Sequence, residues 1–293
     1  MPDVSVIVPA YNHARYVGEA IESALSQTLP PREVIVVDDG STDSTPEALD
    51  RYKDRIKIIR QSNQGVAAAR NNGVAAAAGG WLAFLDADDV WMPRKLERQW
   101  QCFADDPGLG LVHCGVIEID AEGRPLRNKT DGMSGWVARE MLIFQRPVIL
   151  GGGSGAMIPR EVFQKVSGFD GGLSTSADWD LYYRIASRWR IGFVDEPLLQ
   201  YRLHGSNMHG NIKVMRRDML AAYEKAFAQA DPELMKMRRN CYGRLHMVLA
   251  GSFYSVGSYG NFIAEALKSI CLAPSNITQL LNFPVRRWRR VAG

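Results

Sequence analysis

Short runs of β-branched and aliphatic residues alternate with helical patterns along the first hundred residues of the chain. Runs this short, with few polar residues, are typical of strands buried on both faces, and they predict a mainly parallel sheet with flanking helices. Four such runs are present: Val4–Val8, Val34–Val37, Ile56–Ile59 and Trp81–Leu85. Because such sheets bind ligands at the carboxyl ends of their strands, the residues that follow each run are the first candidates for function.

The pattern is less regular beyond residue 105. Leu109–Ile119 is predicted to form a strand or a strand pair, Ala121–Thr130 a polar turn region, and Asp178–Trp189 a helix. From about Asn211 onward the chain is predicted to be helical, with breaks near residues 230, 257–260 and 274. A length of 293 residues, 46% of them hydrophobic, suits one large α/β domain with an appendage. We therefore expect a domain over 1–210 and a helical extension over 211–293.

Charge is distributed unevenly along the chain. Residues 1–212 contain 22 Lys and Arg against 27 Asp and Glu, whereas residues 213–293 contain 13 against 5. A mildly acidic body therefore carries a basic tail, which includes Arg286-Arg287-Trp288-Arg289-Arg290. A tail of this kind indicates an anionic partner.

The cysteines and the apolar segments indicate a cytoplasmic protein. Cys102, Cys114, Cys241 and Cys271 show no paired spacing, so we expect reduced thiols and neither disulfides nor a zinc site. The N-terminus lacks the basic region of a signal peptide. No apolar stretch reaches the roughly 20 residues that cross a bilayer, so we expect no membrane span.

Three carboxylates follow the fourth apolar run. Asp86 and Asp88 lie on the same side of an extended chain, where paired oxygen ligands suit Mg²⁺ or Mn²⁺ shared with phosphate oxygens. The alternative is a solvated turn in which Asp89 caps the next helix. Spacing alone leaves both interpretations open.

Other polar residues follow the first three runs. Asp38-Asp39-Gly40 can accept hydrogen bonds from a base or a ribose or form an ordinary turn, and Tyr11 can stack on a base or line the core. Arg70 lies in a helix otherwise made largely of Ala and Val. It therefore either contacts an anion, through a bidentate contact with a diphosphate, or lies on the solvent face.

The second half supplies further candidates. Asp178 and Asp180 flank Trp179 at a predicted helix start, where acids either act as a general base or complement the helix dipole. His204, beyond a strand, either binds metal or hydrogen-bonds in the core. We interpret the other histidines as structural: His13, His113, His209 and His246.

Six segments in this order resemble the family 2 glycosyltransferases, which have the GT-A fold. They are SVIVPAYNHARYV (Ser5–Val17), VIVVDDGSTDST (Val34–Thr45), NQGVAAARNNG (Asn63–Gly73), WLAFLDADDVW (Trp81–Trp91), GFD…ADWDLYYR (Gly168–Arg184) and YRLHGSN (Tyr201–Asn207). Together they cover roughly two thirds of the chain, over about residues 4–207. The resemblance implies a Rossmann-like GT-A domain in which residues 1–105 bind a nucleotide sugar and residues 106–210 bind the acceptor.

The resemblance also implies roles for individual residues. Donor-binding roles fall on Pro9, Ala10, Tyr11, Asp39, Asn63, Gly65, Arg70, Asp86, Ala87 and Asp88. Asp39 would face the uracil of a UDP-sugar, Arg70 would approach the diphosphate, and Asp88 with His204 would hold Mg²⁺ or Mn²⁺. Asp178 matches the general base of the family. Acceptor-binding roles fall on Gly152, Gly153, Ser154, Trp179 and Asp180.

The implied reaction is a single inverting displacement on the sugar of a nucleotide-diphosphate donor. Asp178 would deprotonate a hydroxyl of a saccharide or lipid-linked acceptor in the synthesis of a surface glycan. Two departures from the family pattern matter: Ala177 replaces the Glu that often precedes the base, and the QxxRW signature of processive synthases is absent. We therefore expect one sugar per turnover.

Three other interpretations of these residues are weaker. The run from Leu85 to Val90 also matches the nucleophile strand of haloacid-dehalogenase-type phosphatases, but that strand normally comes first in the chain. The Gly151-x-Gly153-x-x-Ala156 run resembles a dinucleotide motif without the helix that it needs. A non-catalytic sugar-nucleotide-binding module would not need Arg70, Asp88 and Asp178 together.

The basic tail leaves two interpretations open. An apolar stripe that includes Ile263 and Leu267, followed by the arginines, either rests on the anionic inner face of the cell membrane or packs on the catalytic domain. A membrane contact would make the protein peripheral and bring it to a lipid-linked acceptor. We expect no nucleic-acid partner, because no basic–aromatic pattern extends beyond this end.

Overall fold

The structure, a computed structural model, describes residues 2–205 and 211–280. The chain divides into two compact units, one formed by Met1–Val137 and Val148–Asn207, the other by Ala138–Pro147 and Met208–Gly293. The segment Ala138–Pro147 thus groups with the second unit, although it precedes residue 210. The predicted functional division at residues 105 and 210 stays a prediction.

The first unit is built on one mixed sheet. Within the described residues the strands are β1 (Val4–Ala10), β2 (Glu33–Asp38), β3 (Lys57–Arg60), β4 (Trp81–Phe84), β5 (Val90–Trp91), β6 (Leu109–Ile119), β7 (Pro125–Lys129), β8 (Met157–Pro159) and β9 (Arg190–Arg202). Their order across the sheet is β3-β2-β1-β4-β8-β6-β9-β5, with β7 paired to β6. Strands β1 to β4 are all parallel, whereas β8 is antiparallel to both β4 and β6.

Helices connect the strands and form the second unit. In the first unit they are α1 (Val17–Leu25), α2 (Thr45–Asp50), α3 (Val66–Ala76), α4 (Lys95–Asp105), α6 (Gly152–Gly155), α7 (Arg160–Lys165) and α8 (Ala177–Ala186). The second unit holds α5 (Ala138–Ile143), α9 (Ile212–Ala228), α10 (Pro232–Lys236), α11 (Arg238–Ser255), α12 (Tyr259–Leu272) and α13 (Ile277–Leu280). The breaks between α9 and α10, between α11 and α12 and after α12 fall where the sequence predicts them, whereas the break between α10 and α11 at Met237 is not predicted.

Helix α3 packs closely on the central strand of the parallel half. A Cβ added at Gly73 would lie 2.5 Å from Ile7 Cγ2, so only glycine allows this approach. Arg70 lies three residues earlier on the same face of the helix. Since α3 runs back along the parallel strands, this turn is nearer to their carboxyl ends than Gly73 is. Packing of α3 on β1 therefore carries a guanidinium toward the predicted ligand edge.

These elements confirm the predicted α/β class, with a partly parallel sheet and C-terminal helices. The prediction of a polar turn over Ala121–Thr130 is wrong, because the strand β7 (Pro125–Lys129) lies within this segment. This strand is exposed, and Arg127 Nη2 lies 2.8 Å from Glu118 Oε2 on β6. A strand held by charged cross-strand pairs lacks the apolar alternation by which strands are predicted.

A buried ion cluster joins α9, α11 and α12 in the second unit. Glu265 is 3% exposed, and its carboxylate accepts hydrogen bonds from His246 Nδ1 at 2.5 Å and Arg216 Nε at 2.8 Å. Burial raises the pKa of Glu265, but its hydrogen bonds to His246 and Lys268 and the charges of His246 and Arg216 outweigh it and lower the pKa to about 2. Among the described residues, no helix has both the length and the apolar character needed to cross a bilayer.

The Glu265 cluster predicts acid sensitivity of the second unit. The folded pKa of about 2 lies below the usual value near 4.3, so its stabilisation is complete above that value and lost as the pH falls toward 2. The free-energy difference between the unchanged chain and Glu265→Gln should therefore shrink by up to about 3 kcal/mol over this window. Urea unfolding followed by circular dichroism at pH 7 and 3.5 should detect about 1 kcal/mol of this loss, because pH 3.5 lies in the upper part of the window. Glu233→Gln, an exposed change in the same unit, serves as the control, and a difference that does not depend on pH would contradict the prediction.

Candidate active site

The loops that leave β1 and β2 are tied together at the carboxyl edge of the sheet. Asn12 has a left-handed φ of 57°, and its Oδ1 accepts a hydrogen bond from the Thr42 N–H at 2.7 Å. Its own N–H donates to Ser41 Oγ at 3.0 Å. Pro9 and Ala10 are buried within β1, whereas Tyr11 is 44% exposed. The Tyr11 ring is thus presented to solvent by a fixed turn, and it does not line the core.

The Asp39 carboxylate organises the loop that precedes α3. Oδ1 accepts hydrogen bonds from Gln61 Nε2 at 2.7 Å and the Gln64 N–H at 2.8 Å, and Oδ2 accepts one from the Gly65 N–H at 2.8 Å. A Cβ at Gly40, where φ is 77°, would lie 2.9 Å from the Asn63 nitrogen, so this loop passes directly over a required glycine. Asn63 itself is exposed on the loop.

Arg70 is buried, which excludes the solvent-face interpretation. It is 3% exposed, and its Nη2 donates to Asp86 Oδ1 at 2.5 Å. Burial lowers the pKa of Arg70, but the charges of Asp86 and Asp178 outweigh this effect and raise it above its usual value. Within the described residues, its buried Nε–H has no hydrogen-bond partner. The guanidinium is therefore locked in its charged form, with a donor left unpaired.

The Gly152-Gly153 pair is where the basic and acidic side chains meet. A Cβ at Gly153 would lie 2.1 Å from Arg70 Nη2 and 2.8 Å from Asp86 Oδ2. A Cβ at Gly152 would lie 3.4 Å from Asp178 Oδ2. Three predicted site residues from separate segments therefore lie together beside this glycine pair: Arg70, Asp86 and Asp178. Because Gly153 has no side chain, Arg70 and Asp86 can approach its backbone this closely.

Asp178 lies in the first turn of α8 and is partly exposed. Its Oδ1 accepts a hydrogen bond from the Trp179 N–H at 2.8 Å. Trp179 stacks on Tyr183, with ring centroids 5.5 Å apart and planes 2° from parallel. The Tyr182 hydroxyl donates to the Gly152 carbonyl at 2.8 Å, which ties α8 to the glycine pair.

Asp180, the other acid of this motif, is engaged elsewhere. It is buried, and its Oδ2 lies 2.6 Å from Arg184 Nη2. Arg184 also donates to the Gly168 carbonyl at 2.8 Å, so the pair fastens α8 to the preceding turn. The structure thus gives Asp180 a partner within its own helix and leaves Asp178 beside the glycine pair.

Ser154 and Asp89 join the glycine-rich loop to the acidic turn. The Ser154 hydroxyl donates to Asp89 Oδ2 at 2.5 Å and accepts from the Asp86 N–H at 2.9 Å. Burial, followed by the charges of Asp88 and Asp86, raises the pKa of Asp89 well above its usual value. Helix α4 begins only at Lys95, so Asp89 does not cap it. Ser154 and Ala87 are also buried, which makes this joint part of the packed frame.

Asp88 lies between two histidines. Its Oδ2 is 2.9 Å from His204 Nε2 and 3.6 Å from His13 Nε2, and the ligand atoms of the three side chains all lie within 4.8 Å of one another. Burial raises the pKa of Asp88, but the hydrogen bonds and charges of His13 and His204 outweigh it and lower the pKa. Two imidazole nitrogens and a carboxylate this close together are a donor set that fits a divalent metal ion.

His13 is the functional candidate that the sequence interpretation missed. From the sequence we interpret it as structural. The available signal was its position, two residues after Tyr11 at the carboxyl end of the first strand, which is the same sheet edge that receives Asp88. A histidine there is a stronger candidate than one on a helix.

The Tyr201 hydroxyl is affected by the charges of both Asp178 and the acidic turn at residues 86–89. Burial raises the pKa of this hydroxyl, and the charges of Asp89, Asp86, Asp88 and Asp178 raise it further. A single side chain therefore experiences the field of all four carboxylates. The four carboxylates are therefore all near enough to the Tyr201 hydroxyl to affect its pKa.

Comparison with known proteins identifies the family. The model of the family described as "Glycosyl transferase family 2" matches residues 5–167. A Nostoc sp. protein described as an uncharacterized glycosyltransferase is 38% identical over 214 residues, which are 70% of this chain and 66% of that protein. The chain thus spans slightly less than two thirds of the length of this relative.

Two solved structures share the fold. TarS from S. aureus (residues 1–349) superposes with a TM-score of 0.64 at 18% identity over 99% of this chain and 87% of its own, and it has also been solved with UDP and with UDP-GlcNAc. The mannosyltransferase PcManGT from Pyrobaculum calidifontis, solved with GDP-Man and Mn²⁺, gives a TM-score of 0.62 at 23% identity over 98% and 85%. With its sheet topology and the match to more than half of its length, this chain belongs to glycosyl transferase family 2.

Proposed function

We propose that the chain is an inverting glycosyltransferase that moves a sugar from a nucleotide-diphosphate donor to a hydroxyl of an acceptor. The observation that carries this proposal is the meeting of Arg70, Asp86 and Asp178 at the Gly152-Gly153 pair. A cation that can stabilise a leaving diphosphate and a partly exposed carboxylate that can act as a base are parts that a displacement at a sugar phosphate requires.

Asp178 is the general base of the proposed reaction. It takes the proton of the acceptor hydroxyl as the oxygen attacks the anomeric carbon, and the bond from that carbon to the diphosphate oxygen breaks on the opposite face. The anomeric configuration is thereby inverted. The hydrogen bond from the Trp179 N–H to Oδ1 orients the carboxylate and leaves Oδ2 toward Gly152.

Arg70 and the Asp88 cluster receive the leaving diphosphate. The buried guanidinium has a fixed positive charge and an unpaired Nε–H within the described chain, so it needs no reorganisation as negative charge develops. Asp88 and His204 would hold the divalent ion, which when bound neutralises charge on the leaving phosphates. Asp86 keeps Arg70 oriented through their 2.5 Å contact.

The donor we propose is a UDP-sugar. TarS, which shares the fold, binds UDP and UDP-GlcNAc, although PcManGT binds GDP-Man. Tyr11 presents an exposed ring that can stack on a base. Asp39 Oδ2 accepts one hydrogen bond, from the Gly65 N–H, and so retains acceptor capacity for the imide of uracil.

The acceptor we propose is a saccharide or a lipid-linked saccharide in surface-glycan synthesis. The stacked Trp179 and Tyr183 rings beside Asp178 offer an apolar platform for a sugar ring. The haloacid-dehalogenase alternative is disfavoured, because it needs a carboxylate free to attack phosphorus, whereas Asp86 is paired with Arg70. One sugar per turnover remains our expectation.

Loss of the base should slow turnover strongly. Asp178→Asn should lower the rate by about 10²- to 10⁴-fold, because the amide cannot accept the proton of the acceptor. UDP release, measured with the nucleotide sugar that the unchanged chain consumes fastest, reports the rate. Asp195→Asn, an exposed change outside the site, should leave the rate unchanged. Near-normal turnover of Asp178→Asn would remove this residue from the mechanism.

A side chain at Gly153 should weaken donor binding. The new methyl group of Gly153→Ala would displace the Arg70 guanidinium from Asp86, so UDP should bind at least tenfold more weakly, or by about 1.4 kcal/mol. Isothermal titration with Mn²⁺ present measures the affinity. Gly171→Ala is the matched control, since a Cβ at Gly171 meets nothing within 4 Å. Equal UDP affinities for the two variants would place the diphosphate elsewhere.

We further propose that the C-terminal tail binds an anionic membrane surface, at the inner face of the cell membrane. Arg286 to Arg290 lie outside the described residues, but α12 before them exposes Tyr259, Ile263 and Leu267, spaced four residues apart, each at least half exposed. Apolar residues on one helix face next to clustered arginines suit a lipid interface.

Removal of residues 281–293 should abolish flotation with vesicles that contain anionic lipid. Each arginine near an anionic surface contributes about 1 kcal/mol, so replacing all four by glutamine should have nearly the same effect. Neutral phosphatidylcholine vesicles are the control and should float neither form. Equal flotation of the full and shortened chains with anionic vesicles would contradict the proposal, whatever the outcome for catalysis.

A further inference from the structure

The His13–Asp88–His204 cluster holds one more imidazole than the predicted metal ligands, Asp88 and His204. His13 comes from the loop after β1, Asp88 from the turn after β4, and His204 from the segment after β9. The three ligand atoms lie within 4.8 Å of one another, and the His13 side chain is 28% exposed. Three parts of the chain thus place nitrogen, oxygen and nitrogen around one point.

The ring of His13 is oriented for ligation. Its Nδ1 lies 2.8 Å from the Tyr11 carbonyl oxygen, and because a carbonyl only accepts hydrogen bonds, Nδ1 carries the proton. In the neutral ring, Nε2 then holds a lone pair, and this is the atom that faces Asp88. A backbone carbonyl on the far nitrogen is the usual support of a metal-binding histidine. The His13 N–H donates to Thr45 Oγ1 at 2.9 Å, which fixes the backbone as well.

His204 and Asp88 are supported from their other sides. The His204 ring packs against Tyr16, with ring centroids 5.2 Å apart. Arg202 Nε donates to the Asp88 carbonyl at 2.8 Å, and the Arg202 N–H donates to Asp89 Oδ1 at 2.9 Å. The guanidinium of Arg202 also lies over the Tyr16 ring at 4.6 Å. The three ligand candidates are therefore held in place by the fold before any ligand arrives.

We propose that His13 is a third protein ligand of the divalent metal ion, and that the resulting two-histidine, one-carboxylate set selects first-row transition-metal ions over Mg²⁺. Mg²⁺ prefers oxygen ligands and usually relies on one or two carboxylates together with substrate phosphates. Imidazole nitrogens instead favour the later transition metals, with affinity rising from Mn²⁺ through Co²⁺. Three fixed protein ligands also allow the ion to bind without nucleotide. This inference rests on the metal role in the proposed function, which it narrows.

Metal binding to the full chain without nucleotide tests the inference directly. Loss of the six-line electron paramagnetic resonance signal of free Mn²⁺ gives the affinity, and competition with Mg²⁺ and Co²⁺ gives the order. We expect Co²⁺ to bind more tightly than Mn²⁺, and Mn²⁺ at least about tenfold more tightly than Mg²⁺. His13→Ala should weaken Mn²⁺ binding by about 10- to 100-fold or more, the loss seen when even an outer-shell partner is removed.

Two further variants separate ligation from disturbance of the loop. Ser41→Ala removes the hydrogen-bond acceptor of the Asn12 N–H, which lies next to His13 in the loop after β1, but it removes no ligand candidate. This variant should therefore bind Mn²⁺ like the unchanged chain. His13→Asp retains a ligand but exchanges nitrogen for oxygen, so it should lower the ratio of Mn²⁺ to Mg²⁺ affinity. Visible absorption of bound Co²⁺ should also change in His13→Asp, because the ligand field changes.

The outcomes distinguish this inference from the proposed function. Mn²⁺ affinity and metal order unchanged in both His13 variants would overturn the role of His13, and so would a folded chain that binds metal only together with UDP. In either case, metal-dependent UDP binding would still support a nucleotide-sugar enzyme. If no nucleotide sugar binds with any metal while Mn²⁺ alone binds through His13, the proposed function fails and the metal site stands.

Discussion

The contact between Arg70 and Asp86 is the interaction on which the site depends. A buried guanidinium is tolerated only with a charged partner, because an unpaired charge in the interior costs several kcal/mol. Asp86 supplies this partner from the end of β4, and helix α3 delivers Arg70 through its close packing on β1. The pair therefore ties helix α3, which packs on β1, to the end of the neighbouring strand β4. Both members of the pair lie against Gly153, beside which we place the substrate.

A second set of hydrogen bonds links the end of β4 to β9, in the other half of the sheet. Ser154 binds both the Asp86 backbone and the Asp89 carboxylate, and Asp89 in turn accepts from the Arg202 backbone. Burial keeps this chain of hydrogen bonds away from competing water, where unpaired members would be costly. Neighbouring residues of one short turn thus have different tasks: Asp89, together with Ser154 from α6, holds the frame, whereas we assign Asp86 and Asp88 to the reaction.

Much of the first half could be predicted from the sequence because strands β1, β2 and β4 are buried on both faces. Such strands leave an apolar run with sharp ends, and the polar residues that follow them necessarily share one edge, as Tyr11, Asp39 and Asp86 do. The Asp39 carboxylate holds the loop before α3. The spacing of residues in the sequence cannot show this, because its hydrogen-bond partners are mostly backbone N–H groups.

His13 and strand β7 could not be recognised in the same way. The significance of His13 depends on a distance to Asp88, 75 positions later, and no periodicity encodes that distance. Strand β7 is held by charged pairs on an exposed edge, so its residues carry the composition of a loop. Pattern recognition succeeds where burial dictates composition, and it fails where function or stability comes from a few long-range polar contacts.

The reversed direction of β8 has a consequence for how such a site is assembled. Because β8 runs against β4, with Trp81 opposite Pro159 and Ala83 opposite Met157, continuing the register sets Ser154 opposite Asp86. At the ligand edge, β8 therefore contributes the residues that precede it in the chain, whereas each parallel strand contributes the residues that follow it. Parallel strands supply one wall from their exits, and the antiparallel strand supplies the facing wall from its entrance. The residues of one wall can therefore change in evolution without changing those of the other. The preference for one of the two substrates, donor or acceptor, can then alter while the site for the other is preserved.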